Sequence, residues 1–196
     1  VDEARARLQS AAQFADRSQP AERVLLRLAE LQTGDEAYAL LRRVWTEVPG
    51  TDADRAAAAA LAKVPQTATW QERALRAERW MDAQDWGAAL AETESIVAEA
   101  KGTTLDACRL RLVRGRSLYK RNRISEAATA LANIGPDCAQ VNADYGARGL
   151  YLLATAQYRR KLYQESADAY RQIVTYYPTN TMADDALTRG GIALLE

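Results

Sequence analysis

Histidine is absent from this chain of 196 residues. Its absence removes the commonest general base, every Ser-His or Cys-His pair and every histidine-bearing metal site. Two cysteines, Cys108 and Cys138, are too few for a structural zinc site, and no glycine-rich phosphate loop is present. One Phe, five Pro and ten Gly leave little for aromatic strands or turn-dense loops, and no alternating β-branched run occurs. No apolar run approaches the ~20 residues that a membrane span requires. The formal net charge is zero, so global electrostatics point to neither nucleic acid nor an anionic membrane as partner. The N-terminus, Val1-Asp2-Glu3-Ala4-Arg5, lacks the regions of a signal peptide. The missing initiator Met and a C-terminus that stops inside an unfinished helical hairpin suggest a fragment of a longer chain.

What is there is Ala, Leu, Arg and Glu. Hydrophobic residues make up 48% of the chain with Ala dominant, a mixture that favours helix throughout. A chain of this length buries about 70% of the surface its unfolded form exposes, enough for one domain over residues 1–196 without metal, cofactor or disulfide framework. Apolar spacing and punctuation predict helices over 21–31, 35–47, 52–64, 71–82, 86–100, 104–121, 125–134, 141–160 and 163–177. Ser18 and Pro20 open the first, Thr33-Gly34 close it, and Pro49-Gly50 and Pro65 close the next two. The longest irregular stretch expected is 135–140. Asp52-Ala53-Asp54 offers an acidic pair, but with Thr51 ahead of it the pair is explained by helix capping and the helix dipole.

One stretch repeats. Tyr119-Lys120-Arg121-Asn122-Arg123-Ile124-Ser125-Glu126-Ala127 returns thirty-nine residues on as Tyr158-Arg159-Arg160-Lys161-Leu162-Tyr163-Gln164-Glu165-Ser166. Both run from the end of one amphipathic helix through a basic turn into a second. A repeat of that length built of two helices marks an α-solenoid. The last hairpin resembles the tetratricopeptide pattern: Leu150, Leu153, Ala154, Ser166, Tyr170, Ile173 and Pro178 fill its apolar, small, aromatic and Pro positions. In the preceding repeat Gly115, Leu118, Ala127, Leu131 and Ile134 fit, while Arg111 and Arg114 stand where apolar residues are expected. Ala77, Trp80, Trp86, Ala89 and Ile96 mark the one before. The expectation is an all-α, tetratricopeptide-like right-handed superhelix of about five hairpins, with its clearest repeats at 66–101, 103–137 and 141–180.

A second match pairs Leu41-Arg42-Arg43-Val44-Trp45-Thr46-Glu47-Val48-Pro49 with Arg171-Gln172-Ile173-Val174-Thr175-Tyr176-Tyr177-Pro178. Followed by Arg76-Ala77-Glu78-Arg79-Trp80 and Arg116-Ser117-Leu118-Tyr119-Lys120, this order resembles the N-terminal superhelical region of soluble lytic murein transglycosylases. The resemblance implies a periplasmic, peptidoglycan-related role in a bacterial envelope. It also implies that catalysis resides in a separate domain, so this chain alone is not expected to be an enzyme. Glu94-Ser95 and Glu165-Ser166 echo the catalytic Glu-Ser of that domain, yet both fall within predicted scaffold helices and the downstream motif is missing. The alternative relatives are free-standing envelope tetratricopeptide adaptors.

Between 102 and 161 the chain carries eleven Lys or Arg against four Asp or Glu. On the tetratricopeptide pattern the first helix of each hairpin lines the concave face, which places Arg109, Arg116, Tyr119, Lys120, Arg148, Tyr151, Tyr158 and Arg159 there. Tyrosine supplies flat apolar area and arginine binds carboxylates bidentately. The expected partner is a protein or acidic peptide, or a peptidoglycan strand with its carboxylates, and not nucleic acid. The bland alternative is a solvated face with tyrosines packed between helices. Cys108 and Cys138 fall at the same end of one hairpin. Bridged, they close a loop of about 30 residues, imply an oxidising compartment and stabilise by ~3.5 kcal/mol on the chain-entropy model; otherwise one is buried and the other lies in a loop. Trp45, Trp70, Trp80 and Trp86 are expected in the core or between repeats, with Trp70 the candidate for exposure.

Overall fold

The computed structural model describes residues 2–13, 19–64, 66–100 and 102–196. Ser18 and Pro65, expected to punctuate helices, lie outside them. Among the described residues there are twelve helices and no strand: α1 (Asp2–Gln13), α2 (Gln19–Glu30), α3 (Gly34–Glu47), α4 (Asp52–Leu61), α5 (Trp70–Asp82), α6 (Trp86–Ile96), α7 (Leu105–Lys120), α8 (Ile124–Leu131), α9 (Ile134–Cys138), α10 (Ala143–Arg159), α11 (Tyr163–Tyr176) and α12 (Ala183–Ala193). Backbone packing is local along the chain: α3 lies against α5, α5 against α6 and α7, α7 against α8 and α10, and α10 against α11. Several boundaries differ from the sequence reading: α4 ends at Leu61 instead of residue 64, and α8 at Leu131 instead of residue 134. The segment 135–140 is largely the short helix α9, because Pro136 sits in its first turn, where a missing N–H removes no helical bond. The helix expected to reach residue 100 ends at Ile96 and continues as turn.

Three hairpins share one turn. In α5–α6, α7–α8 and α10–α11 the residue after the C-cap is left-handed, at Gln84 (φ 62°), Asn122 (φ 61°) and Lys161 (φ 60°). The next amide closes the turn by donating to Trp80, Leu118 and Gln157 carbonyls at 3.0, 2.9 and 3.0 Å. These are Schellman closures that satisfy carbonyls which the helix end leaves open. The register carries through the packing. At matching register positions Ala77, Gly115 and Ala154 are buried small residues of the first helices, and Ala89, Ala127 and Ser166 of the second; Ile96, Ile134 and Ile173 are buried at the matching position further on. Small residues at these positions let paired helices approach closely. At Gly115 the approach leaves no room even for a Cβ, whose place is taken by the Leu131 side chain. The second sequence match has a structural counterpart as well. The helix ends at Val48 (φ −132°, ψ 53°) and Tyr177 (φ −135°, ψ 52°) have almost the same backbone, with each following proline excluding α geometry from the residue before it.

Two of the joints between hairpins differ in kind. Between α4 and α5, Arg76 forks onto Asp54 at 2.7 and 3.0 Å, both side chains being buried. Its guanidinium also lies over the rings of Trp45 and Trp80 at 4.4 and 5.5 Å. Asp54 further accepts from the Gly50 amide at 2.8 Å, while Thr51 caps α4 by accepting from the Asp54 amide at 3.1 Å. Nearby, Arg42 pairs with Glu72 and Arg73 with Glu92. The second joint, between α7–α9 and α10–α11, is an apolar cluster that includes Leu112, Leu131, Ile134, Leu150 and Ile173. Within it Cys108 and Cys138 are disulfide-bonded, with 5.9 Å between Cα atoms. Tyr177 reaches across it to donate to the Gly135 carbonyl at 2.6 Å, passing where a side chain on Gly146 would stand.

Candidate functional site

Helical spacing puts Leu112, Arg116, Tyr119 and Lys120 on one face of α7, and Arg148, Tyr151 and Leu152 on one face of α10. Where the two helices pack, these faces border a groove of ≈ 460 Å³ that Met182 closes on the far side. Five of the residues assigned to a binding face from sequence come together here: Arg116, Tyr119, Lys120, Arg148 and Tyr151.

The groove concentrates positive charge that its own walls do not neutralise. Burial, and then the facing Arg148 guanidinium, lower the pKa of Arg116, with Asp82 acting in the opposite direction. Such a shift means that the cation is partly stripped of water beside a like charge, the condition under which an incoming anion gains most. Arg116 and Lys120 both lie over the ring of Trp86, at 5.7 and 5.6 Å, so cation–π contact fixes the two charges from α6. Arg148 has an exposed partner one turn back, Asp144, at 3.1 Å. The Tyr151 hydroxyl donates to Asp185, while its ring meets Tyr170 edge-on at 5.4 Å. Burial and that carboxylate hold the Tyr151 phenol well above the usual tyrosine range, so this residue offers the groove its ring and not an acid.

The other three assigned residues are engaged elsewhere. Arg109 is neutralised: it donates to Glu78 of α5 at 3.0 Å, pairs with Asp106 and contacts the Tyr145 hydroxyl at 3.3 Å. Tyr145 in turn donates to Glu78 at 2.8 Å. Because α5 and α10 flank α7, this contact across it puts Arg109 on the inner side of a bend. Arg159 lies over the Tyr119 ring at 5.3 Å and donates to Asn122, supporting the rim of the groove from outside. Tyr158 bonds Glu196 at 3.3 Å and packs edge-on to Tyr163. Sequence reasoning missed Trp86 as a seat for two cations, and the signal was its place three residues before Ala89 at the start of a second helix. Trp70, picked for exposure, is half-buried beside Ala74, Ile96 and Leu110.

In both Glu-Ser pairs the serine is held by hydrogen bonds within the scaffold. Ser166 is buried and donates to the Ala154 carbonyl at 2.9 Å, and Ser95 accepts from Arg73 and donates to the Glu92 carbonyl. Among the described residues no helix is long and apolar enough to cross a membrane. No family model, curated protein or solved structure matches the chain.

Proposed function

We propose that this chain is a noncatalytic, tetratricopeptide-like superhelical scaffold whose groove binds carboxylate-bearing ligands. The observation that carries the reading is the groove between α7 and α10, where Arg116, Lys120 and Arg148 converge beside two tyrosine rings with no carboxylate among the described residues that border it. The recurring turn and small-residue register of three hairpins support a repeat array of about five hairpins. The bridged cysteines support an oxidising compartment, and with the sequence resemblance they favour the bacterial periplasm. The host we favour is a lytic murein transglycosylase, in which this scaffold shapes the access of peptidoglycan to an active site outside this chain.

Cations over the Trp86 ring supply the readout, since a ligand that draws Arg116 or Lys120 away changes its fluorescence. Titration with muropeptides carrying free carboxylates gives a saturable change, and Arg116→Glu with Arg148→Glu weakens it by roughly tenfold or more. Equal affinity in the charge-reversed protein would sink the groove. A free-standing envelope adaptor is the second reading, favoured by the flat Tyr119 and Tyr151 rings, which suit a peptide chain. It predicts tighter binding of an acidic peptide than of a muropeptide.

A further inference from the structure

Arg111 and Arg114 stand where the repeat pattern expects apolar side chains, and the groove uses neither. Thirty-eight residues earlier in the register stand Arg73 and Arg76 of α5. Those two arginines share a carboxylate: Glu92 takes the Nε of Arg73 at 2.7 Å and faces the Nε of Arg76 at 3.7 Å. The register partner of Glu92 in the next hairpin is Ala130. Instead of a carboxylate, a cavity of ≈ 300 Å³ opens there, bordered by Arg111, Arg114, Leu110 and Ala130, with Val97 and Ala100 from the turn that follows α6. The Nε of Arg114, the atom that faces Glu92 in the earlier hairpin, is buried with no hydrogen-bond partner. The acids of the neighbouring elements are otherwise engaged: Asp137 of α9 holds Arg111 through one nitrogen at 2.5 Å, and Glu126 of α8, whose charge reaches Arg114, is forked by Arg123 at 2.7 and 2.6 Å.

From this we infer that the cavity between α6, α7 and α8 is a second binding site, which takes a single carboxylate on a short aliphatic stem in the place that Glu92 fills one hairpin earlier. A guanidinium has five N–H donors and binds a carboxylate in a planar fork, so Arg114 Nε–H and the free donors of Arg111 can share one ligand. Leu110, Val97 and Ala130 provide the apolar wall for the stem. At about 100° per residue, Arg111 and Arg114 lie on the side of α7 roughly opposite Arg116 and Tyr119. The site is therefore separate from the groove and stands whether or not the groove binds.

The probe is butyrate, a single carboxylate on a short aliphatic stem, with butyramide as its uncharged counterpart, and the readouts are the Nε–H resonance of Arg114 and the methyl resonances of Ala100 and Ala130. The carboxylate is expected to shift all three saturably while the amide leaves them in place. Ala130→Glu, which restores the residue type of the earlier hairpin, is expected to move the Arg114 Nε–H resonance without ligand and to abolish the response. Should that variant not fold, Arg114→Gln serves instead, read at the two methyls, and is expected to lose saturation. No carboxylate-dependent shift in the parent chain, an equal shift from the amide, or saturation that survives in either folded variant overturns the inference.

Discussion

Two joints of this molecule solve one packing problem by different means. At the first, α4 meets α5 through a buried ion pair, Arg76 with Asp54, stacked between Trp45 and Trp80. At the second, α7–α9 meet α10–α11 through aliphatic side chains, a disulfide and one buried tyrosine hydroxyl. A buried ion pair is geometrically demanding and fails badly when half of it is removed, whereas an apolar joint degrades in proportion to the volume lost. The first joint therefore concentrates its weakness in single residues, and the second spreads it.

The largest effect expected from this contrast comes from Arg76→Ala. It leaves Asp54 charged and buried, and should cost about 3–5 kcal/mol in urea unfolding. Replacing both partners by apolar residues of similar volume should restore most of that loss; if the double variant is as weak as the single one, the ion pair is not what holds the first joint. Reduction of Cys108–Cys138 comes next. Its loop of 30 residues corresponds to ~3.5 kcal/mol on the chain-entropy model, and hydrogen exchange should show protection falling in α9 and α10 while α4 and α5 hold theirs. Uniform loss would mean that the joints are not independent.

A smaller change sharpens the comparison by register. Ala77 and Ala154 already occupy the close-approach position of their hairpins, yet Gly115→Ala drives a methyl into Leu131 and should cost about 1–3 kcal/mol by overpacking. Thermal unfolding of that variant indistinguishable from the parent would show that Leu131 moves aside freely. Smallest is Lys161→Gly. A non-glycine residue in the left-handed region is disfavoured by roughly 1 kcal/mol, partly offset by the greater unfolded-state freedom of glycine. The α10–α11 turn should gain a few tenths of a kcal/mol or slightly more, measurable as a raised denaturant midpoint.

Much of this arrangement was legible in the sequence because repetition writes local geometry into spacing. The match between Tyr119 and Tyr158 lies at two turns with a left-handed residue at the same position, Asn122 and Lys161, and the series Ala77, Gly115, Ala154 could be placed at helix contacts without coordinates. Charge was harder to read. Arg109 counted as a groove cation because its partners, Glu78 and Tyr145, are 31 and 36 residues away, and no local pattern announces them. Asp54 does belong to the helix start read from the sequence, but its ion pair could not be seen there for the same reason, its partner Arg76 lying 22 residues on. Helix α9 was hidden by Gly135-Pro136, a dipeptide that usually marks a break and here lies in a first turn.

The link from Glu78 through Tyr145 and Arg109 bears on mechanics. Helices α5, α7 and α10 form a short arch, and that link is a chord drawn across its inner side. A tie of this kind opposes the separation of α5 from α10 on the side where it lies. The spread between α7 and α10, and with it the width of the groove, is thereby limited from a point about one turn beyond its end.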